Sequence, residues 1–102
     1  MDYFNESTPD AKTSENLGLD MASNAVIYSI QIPKGTKQFT VKLDDPSAFD
    51  INFNQTEGEF TEFQSFLANQ SFTVEDIIIM EDMFINIKAA DNNVKAQISL
   101  WK

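Results

Sequence analysis

The chain has 102 residues, enough for one domain with a sizeable core but not for two. It contains no Cys and no His, which removes thiol chemistry, disulfides, the usual zinc ligands and the commonest general base at neutral pH. Sixteen acidic residues stand against seven lysines and no arginine, a net charge of −9 that repels DNA and anionic lipid and leaves no guanidinium to grip a base or a phosphate.

These exclusions point to a non-enzymatic protein without a cofactor, a nucleic-acid partner or a membrane partner. No stretch approaches the eighteen or so apolar residues of a membrane span. The acidic, polar N-terminus is unlike a signal peptide, so synthesis in a cytoplasm without export by that route is expected.

Residues 1–24 differ from the rest of the chain. They are rich in Ser, Asn, Asp and Thr, with few apolar residues. This composition predicts a flexible or extended N-terminal arm. Tyr3 and Phe4 near its tip, with Leu17, Leu19 and Met21 further along, give such an arm something to bury against a partner.

From Ala25 the pattern changes to alternation of apolar and polar residues. Val26, Tyr28, Ile30 and Ile32 share one parity, and the first strand is expected at about 25–32. Pro33-Lys34-Gly35-Thr36 reads as a turn. Phe39, Val41 and Leu43 predict a strand over 38–43, and Phe49, Ile51 and Phe53 another over 49–54. Between these two lies the acidic turn Asp44-Asp45-Pro46-Ser47, and a polar loop covers 55–59. A strand at 62–67 and a turn at Ala68-Asn69 come next. The run TVEDIIIMEDMF is ambiguous: Thr73 with Asp76 imitates a helical capping box, but three successive isoleucines favour a short strand at 76–80. Met83, Ile85, Ile87 and Ala89 predict a strand over 83–89. Asp91-Asn92-Asn93 reads as a hairpin turn into a last strand at 93–101, carried by Val94, Ala96, Ile98 and Leu100. A strand's side chains point alternately to opposite faces, so each set marks a buried face. The expected fold is all-β: an antiparallel β-sandwich or jelly roll of about seven to eight short strands over residues 25–102.

Candidate site residues are few. The acid pairs Asp44-Asp45, Glu75-Asp76 and Glu81-Asp82 lack the spacing of a calcium loop and read as turn residues. No His is present to activate a Ser. Trp101 lies on the parity opposite to Leu100, so it is expected to face outward as a contact residue, or else to fold over the sheet's edge.

The order of segments carries more weight than any one of them. Pro33 and Gly35 precede Phe39-Thr40-Val41-Lys42. Asp50-Ile51-Asn52-Phe53 comes after, then Phe84-Ile85-Asn86-Ile87-Lys88, a turn, and a terminal strand from Val94 to Trp101. This order resembles small β-sandwich accessory proteins in the virions of tailed bacteriophages. The resemblance covers about residues 25–102. It implies a structural virion component (a capsid decoration, a head fibre or vertex protein, or a neck or tail accessory) with other virion proteins and copies of itself as partners. That class carries no catalytic residues, and the implied location is the virion after synthesis in the host cytoplasm. The competing expectation is a small acidic inhibitor or immunity protein that blocks a basic site on an enzyme. A third is a carbohydrate-binding or adhesive sandwich, which exposed aromatics such as Trp101 or Tyr28 would favour.

Overall fold

The computed structural model describes residues 14–102. Eight strands follow one another: β1 (Ser14–Met21), β2 (Tyr28–Ile32), β3 (Gln38–Leu43), β4 (Phe49–Asn54), β5 (Gln64–Phe66), β6 (Ser71–Val74), β7 (Met83–Ala89) and β8 (Val94–Trp101). They form two four-stranded sheets, in the order β1-β8-β3-β6 and β2-β7-β4-β5. All pairings are antiparallel. The pairs β1·β8, β2·β7, β3·β6 and β4·β5 are the rungs of one long ribbon, wrapped so that β8 also meets β3 and β7 also meets β4. This wrapping is the eight-stranded jelly roll.

The expected parities decide which faces meet. Phe39, Val41, Val94, Ala96, Ile98 and Leu100 line the inner face of one sheet, and Phe49, Ile51, Ile85, Ile87 and Ala89 that of the other, all buried. Phe53 is only half-buried but packs against this core. Its ring lies 4.9 Å from that of Phe39 across the sandwich, tilted by 59°, a favourable aromatic geometry. The strands expected at 38–43, 49–54 and 83–89 match β3, β4 and β7 residue for residue.

Three expectations are corrected. The first concerns the arm. Residues 14–21, expected to lie in it, form strand β1, paired with β8 along its whole length from Ser14↔Trp101 to Met21↔Val94. Leu17, Leu19 and Met21 are themselves an alternating set. Their inward parity matches Ile98, Ala96 and Val94 opposite. The polar residues between them, Asn16, Gly18 and Asp20, disguise the pattern because they are poor strand formers. They sit on the outward face, where packing makes little demand. Without β1, strand β8 would present an open edge. Regular structure therefore begins upstream of Ala25; residues 1–13 of the expected arm, including Tyr3 and Phe4, lie outside the described residues.

The second correction concerns 76–80, which is not a strand of either sheet. Asp76 has a left-handed backbone, φ 57°, which breaks the extended run after β6. The isoleucines instead run beside the turn that leads into β3. Ile77 N–H donates to the Lys37 carbonyl at 3.3 Å, Ile79 N–H to the Thr36 carbonyl at 3.0 Å, and Gly35 N–H to the Ile79 carbonyl at 2.8 Å. Alternation survives: Ile77 and Ile79 point inward, Ile78 and Met80 outward.

The third correction concerns Asp91-Asn92-Asn93, which does not close a hairpin. β7 and β8 lie in different sheets, so the turn crosses the sandwich. Asn93 takes up the left-handed conformation at φ 58°, and its N–H donates to the Ala22 carbonyl at 3.2 Å. Asn92 Oδ1 accepts from Asn24 N–H at 2.8 Å. Asparagine tolerates this backbone because its side chain hydrogen-bonds locally. Among the described strands, only β4 and β5 are neighbours both in sequence and in a sheet.

Candidate functional site

The connections fall into two groups, one at each end of the sandwich. One end carries the β2–β3 turn, the β4–β5 loop and the β6–β7 segment, and there β1 begins opposite the end of β8. This end is built around asparagines that no sequence motif singles out.

Asn86 on β7 is fully buried although it lies on the outward parity of its sheet. Register places it in a row with Ser29 on β2 and Asn52 on β4. What buries it is the β4–β5 loop folded back over the sheet. Asn86 Oδ1 accepts from Ser29 Oγ–H at 2.5 Å and from Gly58 N–H at 2.8 Å. Its amide nitrogen donates to Asn52 Oδ1 at 2.9 Å, to the Glu59 carbonyl at 3.0 Å and to the Thr56 carbonyl at 3.2 Å. Asn52 in turn donates to the carbonyls of Glu59 at 2.7 Å and Glu62 at 2.9 Å. Gly58 has φ 79°, which permits its N–H to point down at this row. Two asparagine side chains thus supply the pairing that a strand would give the loop backbone. A satisfied buried network of this kind holds one conformation and resists loss of any member.

The loop is tied at its margins as well. Thr56 N–H donates to Asn54 Oδ1 at 2.7 Å, the Glu59 carboxylate accepts from the backbone and hydroxyl of Thr61, and Gln55 donates to the Glu81 carboxylate in the neighbouring β6–β7 segment. Phe60 and Phe63 stack with centroids 4.9 Å apart and planes 10° from parallel.

Two concavities result. β5 is short, and its register with β4 ends at Ile51↔Gln64. Beyond that point Asn52, Phe53 and Asn54 border an open cleft of about 620 Å³, closed on its other sides by Glu59, Glu62, Phe63, Gln64 and Phe72. A second, apolar groove of about 380 Å³ is lined by Phe53, Ile77, Ile79, Met83 and the outward side chains Ile78 and Met80. Ile78 is 63% exposed and Met80 74%.

The residues expected to make contacts are distributed otherwise. Met21 is buried in the core, and Leu17 and Leu19 are half-buried against it. They hold the edge strand against the core. Trp101 faces outward with Lys95, Gln97 and Ser99, and is half-buried between β1 and β3, opposite Ser14 and Gln38. Tyr28 points inward, and its hydroxyl accepts from Ser23 N–H at 3.1 Å. Among the described residues, no three Asp or Glu side chains come together to hold a metal ion. No protein-family model, curated protein or solved structure matches the chain.

Proposed function

We propose that this chain is a non-enzymatic structural component of a bacteriophage virion, attached by protein–protein contact to other virion proteins and to copies of itself. The observation that carries the reading is the 77–80 segment. Its backbone is fixed to the β2–β3 turn, yet it leaves Ile78 and Met80 in solvent. Large apolar side chains held rigidly outward beside an apolar groove mark a contact surface. β1 starts at the same end, with Ser14 opposite Trp101. The jelly-roll order supports the reading by fold-level analogy, since viral capsid domains share that architecture.

The test is mass spectrometry of purified particles together with co-sedimentation of the recombinant chain with particles lacking it. Enrichment in the particle and saturable co-sedimentation are the expected results. Their absence, with tight one-to-one binding to a basic enzyme instead, would transfer the chain to the inhibitor class.

A further inference from the structure

We propose that the cleft between β4, β5 and the β4–β5 loop is a binding site for a neutral sugar ring. A sugar ring has an apolar C–H face and a rim of hydroxyls. Its site must offer a flat apolar surface and planar polar groups beside it, in a conformation set before the ligand arrives. The cleft offers each of these.

The flat surface is Phe63. One of its faces is taken by Phe60, stacked at 4.9 Å, which fixes the ring plane. The ring nevertheless stays 48% exposed and lines the cleft. An aromatic ring held flat and open to solvent is a stacking platform. The planar polar groups are the Glu62 carboxylate and the Gln64 amide. Both line the cleft and both are exposed. Neither side chain makes a hydrogen bond or ion pair to another described residue, so both are available to hydroxyl groups. Asn54 borders the same space, and its Nδ2 makes only long contacts, 3.3 Å to Asn52 Oδ1 and 3.5 Å to both the carbonyl and the carboxylate of Glu59.

Pre-organisation comes from the asparagine row. Asn52 holds the carbonyls of Glu59 and Glu62, so the residue preceding Phe63 is pinned to the sheet. The volume, about 620 Å³, falls within the roughly 300–1,000 Å³ typical of small-molecule sites. Charge selects among sugars. Glu59 and Glu62 flank the cleft in a chain of net charge −9, so a sugar acid is repelled and a neutral ring is accepted.

The experiment is a titration of the full ¹⁵N-labelled chain, monitored by amide chemical shifts. The probes are D-glucose, D-galactose, D-mannose and N-acetylglucosamine, with glucuronate as the anionic comparison. At least one neutral sugar should give saturable shifts at Asn54, Glu62, Phe63 and Gln64, and glucuronate none. Phe63→Ala should weaken that binding about tenfold while leaving the remaining amide spectrum in place. Should Phe63→Ala disturb the fold, Gln64→Ala serves in its place, since that side chain is exposed and bonds to no other described residue. Absence of saturable shifts with every neutral sugar, shifts located elsewhere, or shifts unchanged in these variants would each overturn the proposal. None of these outcomes depends on whether the chain resides in a particle.

Discussion

Ile87 and Asn86 are adjacent on β7 and both fully buried, for opposite reasons. Ile87 faces the sandwich core, where truncation removes apolar contact and leaves a cavity. Ile87→Ala should lower stability by about 2–5 kcal/mol in a denaturant titration. A change below about 0.5 kcal/mol would mean that the faces are exchanged, since a one-residue slip inverts a strand. Asn86 faces outward and is buried only because the loop needs it. Asn86→Ala removes one partner each from the Ser29 hydroxyl, the Gly58 N–H and the carbonyls of Thr56 and Glu59. The last three keep a second partner in Ser29 Oγ, the Glu59 N–H and Asn52 Nδ2, so the cost should be that of a few lost hydrogen bonds, about 1–3 kcal/mol. Asn86→Asp should be worse than Asn86→Ala. The new carboxylate would meet the oxygens of Asn52, Thr56 and Glu59 with no donor to offer them. Thermal melts of the two variants, run side by side, test this order.

At the scale of elements, β1 separates two pictures of the N-terminal region. If residues 14–21 were an arm, Met21→Ala would leave stability unchanged. As a strand residue 1% exposed, Met21 should cost about 2–5 kcal/mol when truncated. A chain beginning at Ser14 keeps every described strand and should stay folded. A chain beginning at Ala25 loses the β1 ladder and uncovers the edge of β8, and should melt far lower or aggregate. Equal melting temperatures for the two truncations would remove β1 from the fold. The isoleucine run shows the converse case. Ile77-Ile78-Ile79 has strong strand propensity, but a left-handed Asp76 cuts it off from β6, and it pairs with a turn. Context overrode propensity there.

For the whole molecule, topology sets the kinetics. Every strand pairing except β4·β5, β3·β6 and β4·β7 joins segments at least one half-chain apart, as in β1 with β8. Closing such long loops precedes the contacts that reward it. Refolding after dilution from denaturant should therefore fall in the slow range of β-sandwiches, about milliseconds to seconds. Attachment to a particle, if it uses the 77–80 segment, should be lost in the double variant Ile78→Asp, Met80→Asp with little change in melting temperature, because both side chains already stand in solvent. Loss of folding together with attachment would instead make the segment a structural strap.

The parity of most strands was legible in the sequence because alternation is a local property. Each strand's in-and-out pattern is written in its own residues, as in Phe39, Val41 and Leu43 or in Val94 to Leu100. The same local reasoning reached the turns at Gly35 and Asn69, whose left-handed backbones favour those residue types. The alternation of Leu17, Leu19 and Met21 was also present, hidden among polar neighbours. Which strand meets which could not be read in this way. Any alternating strand offers an acceptable partner to any other, so nothing local in Asp91-Asn92-Asn93 distinguishes a hairpin from a crossing between sheets. The candidate site needed the tertiary structure most of all. Asn52 and Asn86 are unremarked polar residues on the outward parity until the register sets them side by side under the β4–β5 loop. The cleft beside them exists because β5 stops short of the end of β4, a boundary that only the folded backbone draws.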